Sequence, residues 1–109
     1  MLIYIASPYS SSDDKYQKRF EEVEKFIVHR TLQDRNNFYF SPVVYYHQIA
    51  QKFDLDKTSE FWQPIDDIIL YYSDMLLVLM LDGWRESIGV QHEIKLALQE
   101  NIVVNYCYE

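Results

Sequence analysis

The most constraining feature of this sequence is the stretch of residues 75–81 (MLLVLML), which is apolar at every position. A membrane-spanning helix needs about 20 apolar residues, whereas a strand covered on both faces of a parallel sheet appears as a short continuous apolar run. We therefore predict that residues 75–81 form a central strand. The segment Leu2–Ala6 (LIYIA) has the same character and ends at Ser7-Pro8, so it predicts a second buried strand.

Segments with apolar residues three and four positions apart alternate with these runs and predict helices. The first helix is expected to follow the N-cap candidates Ser10, Ser11 and Ser12 and the acidic Asp13 and Asp14, and to end near residue 33. Further helices are predicted over residues 43–53, 60–72 and 87–100, and further strands over residues 38–40 and 102–106. The core-facing positions are expected to be Phe61, Ile65, Ile68 or Ile69, and Tyr72 in the third helix, and Val90, Ile94, Ala97 and Leu98 in the last. Proline is tolerated in a helix only near the first turn, so Pro64 is expected there.

This alternation predicts an α/β fold. With right-handed crossovers it specifies a three-layer α/β/α sandwich around a flavodoxin-like or Rossmann-like parallel sheet of four to five strands. The 109 residues are expected to form one domain. Ligands in such folds bind at the carboxyl ends of the strands. That rule selects residues 7–12, 41–47 and 82–89 as the places to look for a site.

Composition excludes several classes of function. Ten basic and seventeen acidic residues give a net charge of −7, which repels a nucleic-acid polymer. Neither a membrane span nor a signal peptide is recognisable, and the single cysteine, Cys107, fits a cytoplasmic location. From the charge and the lack of an apolar span we predict no nucleic-acid or membrane partner. The three histidines lack metal-ligand spacing, so we also predict no metal site.

Both glycines of the chain, Gly83 and Gly89, lie between the most apolar strand and the last helix. Glycine lets the backbone approach a ligand, and Ser87 at the helix start is an N-cap beside N–H groups that favour an anion such as phosphate. An ordinary capped turn is the alternative interpretation. Glu93 borders the apolar face of the same helix, where a carboxylate serves as nucleophile or base, or is simply solvated.

Two further acidic positions precede the central strand. Either Asp66 or Asp67 is placed to face the cleft as a second carboxylate, and two carboxylates around a sugar are the general equipment for glycosidic cleavage. Asp74 lies at the amino end of the strand and is expected to cap or turn the chain.

Aromatic and histidine side chains complete the candidates. Tyr4 and Tyr9 flank the end of the first strand, where a phenol can orient a carboxylate or stack on a base. His47 either contacts the ligand or is a partly exposed surface histidine. Trp84 is either a lid over an apolar ligand face or an interface anchor.

Four segments together resemble the nucleoside 2-deoxyribosyltransferase superfamily, in particular its short bacterial and phage branch: IYIASPYS, SPVVYYH, FWQPIDDIILYYSDMLLVLMLDGW and ESIGVQHEIKLAL. The resemblance implies a five-stranded parallel sheet and cleavage of an N-glycosidic bond by a glutamate that attacks the anomeric carbon. Glu93 matches that nucleophile, Asp66 the aspartate near the base or sugar, and Tyr4 the tyrosine that holds the nucleophile. Ser87 occupies the position at which nucleotide-hydrolysing relatives have serine, which admits a phosphate that a carboxylate would repel.

The expected function is therefore cleavage or transfer at the N-glycosidic bond of a nucleoside 5′-monophosphate or related nucleotide, without metal or cofactor. The substrate-binding residues are expected to be Ser7, Pro8, Tyr9, His47, Gly83, Trp84, Ser87 and Gly89. The resemblance also implies a homo-oligomer in which a neighbouring subunit completes the site. The alternatives are a non-catalytic protein that sequesters a nucleotide and a structural subunit with a tyrosine-rich interaction surface.

Overall fold

The computed structural model describes residues 1–9 and 15–108. Strands and helices alternate along them in the order β1 (Leu2–Ala6), α1 (Tyr16–Gln33), β2 (Phe38–Phe40), α2 (Pro42–Lys52), α3 (Ser59–Tyr71), β3 (Met75–Leu79), α4 (Ile88–Gln99) and β4 (Val103–Cys107). The predicted alternation is confirmed. The N-cap candidates Ser10, Ser11 and Ser12 and the acidic Asp13 and Asp14 lie outside the described residues.

The four strands form one parallel sheet with the order β2-β1-β3-β4. This order matches the first four strands of a flavodoxin-like sheet and confirms the predicted fold class. The described residues contain four strands, not the five that the resemblance implied. β3 ends at Leu79, two residues earlier than predicted, because the amide of Leu81 turns back to donate to the carbonyl of Leu79.

β1 lies between β2 and β3, and its alternating side chains supply both halves of the core. Ile3 and Ile5 pack with the buried face of α1. Tyr4 and Ala6 point to the opposite side, where they join a cluster from β3, α3 and α4 that includes Val90. The pleat of β1 thus directs the Tyr4 hydroxyl toward α4.

The predicted buried face of α3 is wrong at every position except Ile69, which packs against the core cluster. The structure buries Trp62 and Leu70 and leaves the other expected positions exposed: Phe61 (39%), Ile65 (52%), Ile68 (63%) and Tyr72 (72%). The helix carries apolar residues on two sides, and the side that faces the protein includes polar positions, so periodicity selected the wrong stripe. Pro64 lies in the second turn of α3 and not in the first.

α4 follows the prediction more closely. Val90 and Ala97 are fully buried and Ile94 packs at the edge of the same cluster, but Leu98 is 63% exposed because α4 covers the sheet with one narrow stripe. Asp74 has the predicted structural role, since its Oδ2 accepts a hydrogen bond of 2.7 Å from the amide of Leu2. Among the described residues, no helix has the length and apolarity needed to cross a bilayer.

Candidate active site

A cavity of about 280 Å³ lies at the carboxyl edge of the sheet. The loops after β1, β2 and β3 and the first turns of α2, α3 and α4 surround it, as expected for this fold. Its lining consists of Ser7, Tyr9, Pro42, Val43, Tyr46, Thr58, Ser59, Glu60, Asp66, Glu86, Ser87, Ile88, Gly89 and Glu93. Four of these side chains are carboxylates, and none of the described lining residues is Lys, Arg or His.

Glu93 is the most deeply placed carboxylate of the cavity and is only 8% exposed. It lies in α4, and its Oε2 accepts a hydrogen bond from the hydroxyl of Tyr4, which is completely buried in β1. The bond ties the helix to the central strand and fixes the carboxyl group in one orientation. The described residues form no hydrogen bond with its second oxygen, Oε1, and Glu93 lines the cavity.

The surroundings of Glu93 favour its protonated form. The pKa of its carboxyl is raised to about 8, mainly because a carboxylate loses hydration in a dry site and to a smaller extent because of the nearby Asp66 and Asp67. The hydrogen bond from Tyr4 acts in the opposite direction and stabilises the ionised form. A carboxyl that titrates near neutral pH in a cavity is typical of a functional group.

The structure distinguishes the two neighbouring aspartates of α3. Asp66 lines the cavity, whereas both oxygens of Asp67 lie 3.0 Å from Nε2 of His92, outside the main cavity. The Nε2 amide of Gln63 reaches the same imidazole ring at 2.9 Å. Asp67 therefore already has protein partners, and Asp66 is the second carboxylate of the site.

Asp66 also titrates near neutrality. Burial raises the pKa of its carboxyl to about 7, and the negative charge of Asp67 adds to this rise. The hydroxyl of Tyr46 donates a hydrogen bond of 3.4 Å to Oδ2 of Asp66, which favours the ionised form. Asp66 also raises the pKa of Glu93, so the two carboxyls interact directly through the cavity.

An aromatic wall borders these carboxyls. The rings of Tyr46 and Trp62 stack with their centroids 4.1 Å apart and their planes nearly parallel. The indole nitrogen of Trp62 donates to the carbonyl of Asp56 over 2.6 Å, which fixes the stack at the start of α3. Both rings are buried and pack on each other, so the stack supports the wall, and Tyr46 is the one of the two that lines the cavity.

Small polar residues form the opposite side. The buried hydroxyl of Ser7 has no hydrogen-bond partner among the described residues, and a buried hydroxyl in that state is typical of a group that binds a ligand or water. Ser87 caps α4 by accepting a 3.2 Å hydrogen bond from the amide of Val90. A Cβ at Gly89 would lie 3.0 Å from the Cβ of Ser59, so glycine there permits close contact between the first turns of α3 and α4.

Tyr9 lines the cavity and His47 lies behind it. His47 is 2% exposed, its Nδ1 is hydrogen-bonded to the hydroxyl of Tyr9, and its ring stacks on Phe20 with centroids 4.5 Å apart. Burial lowers the pKa of His47, and the positive charge of Lys57 lowers it further. His47 is therefore a buried neutral side chain outside the cavity lining, so the interpretation as a partly exposed surface histidine is wrong, and contact with a ligand stays a prediction.

The structure brings seven predicted residues to the site: Tyr4, Ser7, Tyr9, Asp66, Ser87, Gly89 and Glu93. Three others besides His47 lie elsewhere. Pro8 is fully buried, and Gly83 forms a turn with φ +91° that only glycine adopts readily. Trp84 packs against the core cluster of α3 and α4 and against Tyr106, outside the cavity lining, so it is not a lid, and a role as an interface anchor stays a prediction.

Val43, Tyr46, Glu86 and Ile88 lie within the selected segments 41–47 and 82–89 but were not named individually. Thr58, Ser59 and Glu60 at the start of α3 lie outside every selected segment. The topology contained a signal for them. In a parallel α/β fold each helix begins at the carboxyl edge, so the first turn of α3 had to lie beside the strand ends. The sequence analysis applied this rule to the loops after strands and omitted the helix that follows another helix.

The fold and cavity define an α/β protein with a carboxylate-rich site at the carboxyl edge of a parallel sheet. No group of three His, Cys, Asp or Glu side chains within residues 1–9 and 15–108 is arranged to hold a metal ion. The chain belongs to the family described as "Domain of unknown function (DUF1937)", whose model matches residues 1–108. A comparison with curated proteins found no match.

Proposed function

We propose that this protein cleaves or transfers the N-glycosidic bond of a nucleoside or nucleotide, with Glu93 as the nucleophile. The observation that carries the proposal is the buried Glu93 carboxyl, held by Tyr4 and placed beside Asp66 in one cavity. Two carboxyls of this kind, which titrate near neutrality and lie next to an aromatic wall, match the requirements of glycoside chemistry. The resemblance to nucleoside 2-deoxyribosyltransferases supports the same assignment.

The proposed reaction has two steps. Oε1 of Glu93 forms a bond to the anomeric carbon while the bond from that carbon to the base nitrogen breaks, and the electron pair leaves with the base. Asp66 donates its proton to the departing base. In the second step water attacks the anomeric carbon, its proton passes to Asp66, and the sugar leaves Glu93; another base in place of water gives transfer.

The singly protonated pair is the active form, because Glu93 must be ionised and Asp66 must hold a proton. With pKa values of about 8 for Glu93 and about 7 for Asp66, the pair holds one proton between pH 7 and 8. This proton lies mainly on Glu93, and the active form is the minor tautomer in which Asp66 holds it. Tyr4 assists by stabilising the ionised Glu93. The expected rate of base release is highest between pH 7 and 8.

Whether the sugar of the substrate carries a 5′-phosphate stays a prediction. A 5′-monophosphate was expected from Ser87 and the start of α4, where N–H groups favour an anion. Glu60 and Glu86 line the same cavity and oppose a phosphate, so an uncharged sugar is favoured by the charges of the described residues. Ser7 and Tyr9 are proposed to contact the sugar.

Self-association and a cytoplasmic location also stay predictions. The exposed apolar stripe on α3, formed by Phe61, Ile65, Ile68 and Tyr72, supports the expectation of a homo-oligomer, because stripes of this kind favour a partner surface. Light scattering coupled to size exclusion, with Ile65→Lys beside the wild type, tests it. A monomer in both samples would contradict the expectation.

The activity is tested by incubating the protein with a panel of nucleosides and their 5′-monophosphates and measuring free base by chromatography. Wild-type protein is expected to release base from at least one compound, and Glu93→Gln is expected to release none. Glu100→Gln is the matched control, because Glu100 is an exposed carboxylate that follows the same helix. Equal release by Glu93→Gln and wild type would overturn the role of Glu93.

A non-catalytic nucleotide-binding protein is the second candidate. It is favoured by one observation: the raised pKa of Glu93 leaves this carboxyl largely protonated at pH 7, and a protonated carboxyl donates a hydrogen bond to a ligand. Retention of a nucleotide without release of base from any compound would support this candidate and exclude the enzyme.

A further inference from the structure

A chain of hydrogen bonds behind the cavity ends at the hydroxyl of Tyr9. It begins at Glu21 and Gln17 of α1, passes through His47 of α2 and reaches the cavity at Tyr9. The proposed mechanism uses none of the first three residues. Because His47 is 2% exposed, its hydrogen bond with Tyr9 is protected from competition by water, whereas Gln17 and Glu21 lie at the surface.

The direction of each hydrogen bond follows from the chemistry of its partners. The Nε2 amide of Gln17 donates to the carboxylate of Glu21 over 3.1 Å, so the carbonyl oxygen of Gln17 is the atom that faces His47. That oxygen can only accept, and Nε2 of His47 therefore carries a proton and donates to it over 2.9 Å.

The remaining ring nitrogen of His47 then determines the state of Tyr9. His47 is neutral because burial lowers its pKa, so with Nε2 protonated its Nδ1 has no proton and must accept. The hydroxyl of Tyr9 donates its one proton to Nδ1. The oxygen of Tyr9 consequently has only lone pairs to offer to the cavity.

The other two tyrosine hydroxyls at the site also donate their protons to protein acceptors. Tyr4 donates to Glu93, and Tyr46 donates to Asp66 over 3.4 Å. Four carboxyl groups also line the cavity, and the side-chain donors of the described lining are small hydroxyls, among them the unpartnered Ser7. Such a lining fits a ligand rich in donors and without negative charge.

The basic side chains near Tyr9 do not change this balance. Arg19 donates hydrogen bonds to the carbonyl oxygens of Tyr9 and Asp82, at 3.3 and 3.2 Å, and Lys57 lies over the ring of Tyr16. Neither side chain is part of the cavity lining. An ionised phosphate would meet carboxylates and tyrosine lone pairs there, and both repel it.

We propose that Tyr9 is a specificity-determining residue that accepts a hydrogen bond from a hydroxyl group of an uncharged sugar, and that His47 and Gln17 are positioning residues that hold Tyr9 in this role. The ligand part of this inference rests on the proposed function. It predicts selection of a nucleoside over its own 5′-monophosphate, because the monophosphate replaces a donor with charged acceptors.

Calorimetric titration tests the selection. The probes are the four ribonucleosides, the four 2′-deoxyribonucleosides and their 5′-monophosphates, with Glu93→Gln as the background that prevents turnover. At least one nucleoside is expected to bind at least about tenfold more tightly than its monophosphate. Adding Tyr9→Phe to this background is expected to weaken binding of the nucleoside by about five- to tenfold and to leave binding of the monophosphate unchanged.

Substitutions of His47 separate positioning from a purely structural role. His47→Leu removes the acceptor of the Tyr9 proton, so this proton can turn into the cavity. The preference for the nucleoside over its monophosphate, measured as the ratio of their dissociation constants, is then expected to decrease. His47→Asn is expected to restore the ratio, because the amide oxygen can occupy the position of Nδ1. A structural defect would weaken the binding of nucleoside and monophosphate equally and leave the ratio of their dissociation constants unchanged. That result would overturn the proposal. Tighter binding of the monophosphate than of the nucleoside by the Glu93→Gln reference protein would overturn it as well.

Nitrogen-15 spectra of the histidine side chains test the hydrogen-bond chain without any ligand. At pH 7, His47 is expected to have a protonated Nε2 and an unprotonated Nδ1. A proton on Nδ1 would overturn the assignment of the Tyr9 hydroxyl as the donor to His47. If no probe binds, the proposed function and the ligand part of the inference both fail. The spectrum then decides independently whether the Tyr9 hydroxyl donates its proton to His47.

Discussion

Replacement of Glu93 by glutamine is expected to stabilise the protein at high pH, at the expense of function. In the folded protein burial raises the pKa of Glu93 from 4.5 to about 8, whereas the unfolded chain restores the ordinary value. The folded state therefore binds one more proton than the unfolded state between these two values. Stability is complete below the lower value and falls as the pH rises through about 8.

The size of the effect follows from the same two values. One pH unit of difference corresponds to about 1.4 kcal/mol, so the rise from 4.5 to about 8 amounts to about 5 kcal/mol of stability lost at high pH. Glutamine has nearly the same shape, stays neutral and can still accept the hydrogen bond from Tyr4. Glu93→Gln is thus expected to exceed the wild type in stability by several kcal/mol at pH 9 and to match it near pH 4.5.

Urea unfolding followed by circular dichroism measures this difference. The free energy of unfolding is determined at pH 4.5, 7 and 9 for the wild type, Glu93→Gln and Glu100→Gln. The exposed Glu100 makes its variant the control, with an expected change within about 0.5 kcal/mol at every pH. A Glu93→Gln protein no more stable than the wild type at pH 9 would refute the argument that the Glu93 carboxylate is costly to ionise.

Three further predictions concern the neighbours of Glu93. Asp66→Asn is expected to lower base release by about 10²- to 10⁴-fold for ordinary nucleosides, but much less for an N-alkylated base that leaves without a proton; equal losses, measured by chromatography, would contradict the role of Asp66 as acid. Tyr4→Phe removes a hydrogen bond that lowers the pKa of Glu93, which is the higher pKa of the pair, so the descending limb of the pH–rate profile is expected to move to higher pH; an unchanged profile would argue against this. Gly89→Ala places a Cβ 3.0 Å from the Cβ of Ser59 and is expected to cost about 1–3 kcal/mol in urea unfolding. Ser59→Gly in the same protein is expected to recover much of this cost, and no recovery would show that another contact is responsible.

The sheet and the order of its elements could be predicted because local signals agreed with one another. Leu2–Ala6 and residues 75–81 are short apolar runs that suit only buried strands, and Ser7-Pro8 and Ser41-Pro42 end the first two strands at the edge where ligands bind. The glutamate at the site was also accessible to sequence reasoning, because Glu93 lies beside Val90 and Ala97 on the covered side of α4.

The buried face of α3 could not be predicted from hydrophobicity, because polar residues lie on the side that faces the protein. The side of α3 that faces the protein includes Asp66 at the cavity and Ser73 just past the helix end, whereas the apolar Ile65 and Ile68 point outward. A polar residue that serves the site breaks the apolar pattern, so the stripe with the better pattern lies on the exposed side.

The positions of His47 and Tyr46 depended on tertiary packing. Both lie in α2, which sequence analysis located correctly, but the register of that helix against α1 decides which side chain reaches the cavity. Tyr46 faces Trp62 and the cavity, and His47 turns to Phe20 and Gln17. One position along a helix rotates a side chain by about 100°, and no local signal fixed that rotation.

The most direct test of the account is a search for the sugar bound to Glu93. Protein mixed with the nucleoside that gives the fastest base release is quenched with acid, digested and analysed by mass spectrometry. The account predicts a mass increase of one pentosyl group on the peptide that contains Glu93, absent from Glu93→Gln and retained in Glu100→Gln. Release of base at the wild-type rate by Glu93→Gln, or a pentosyl group on any other residue, would contradict it.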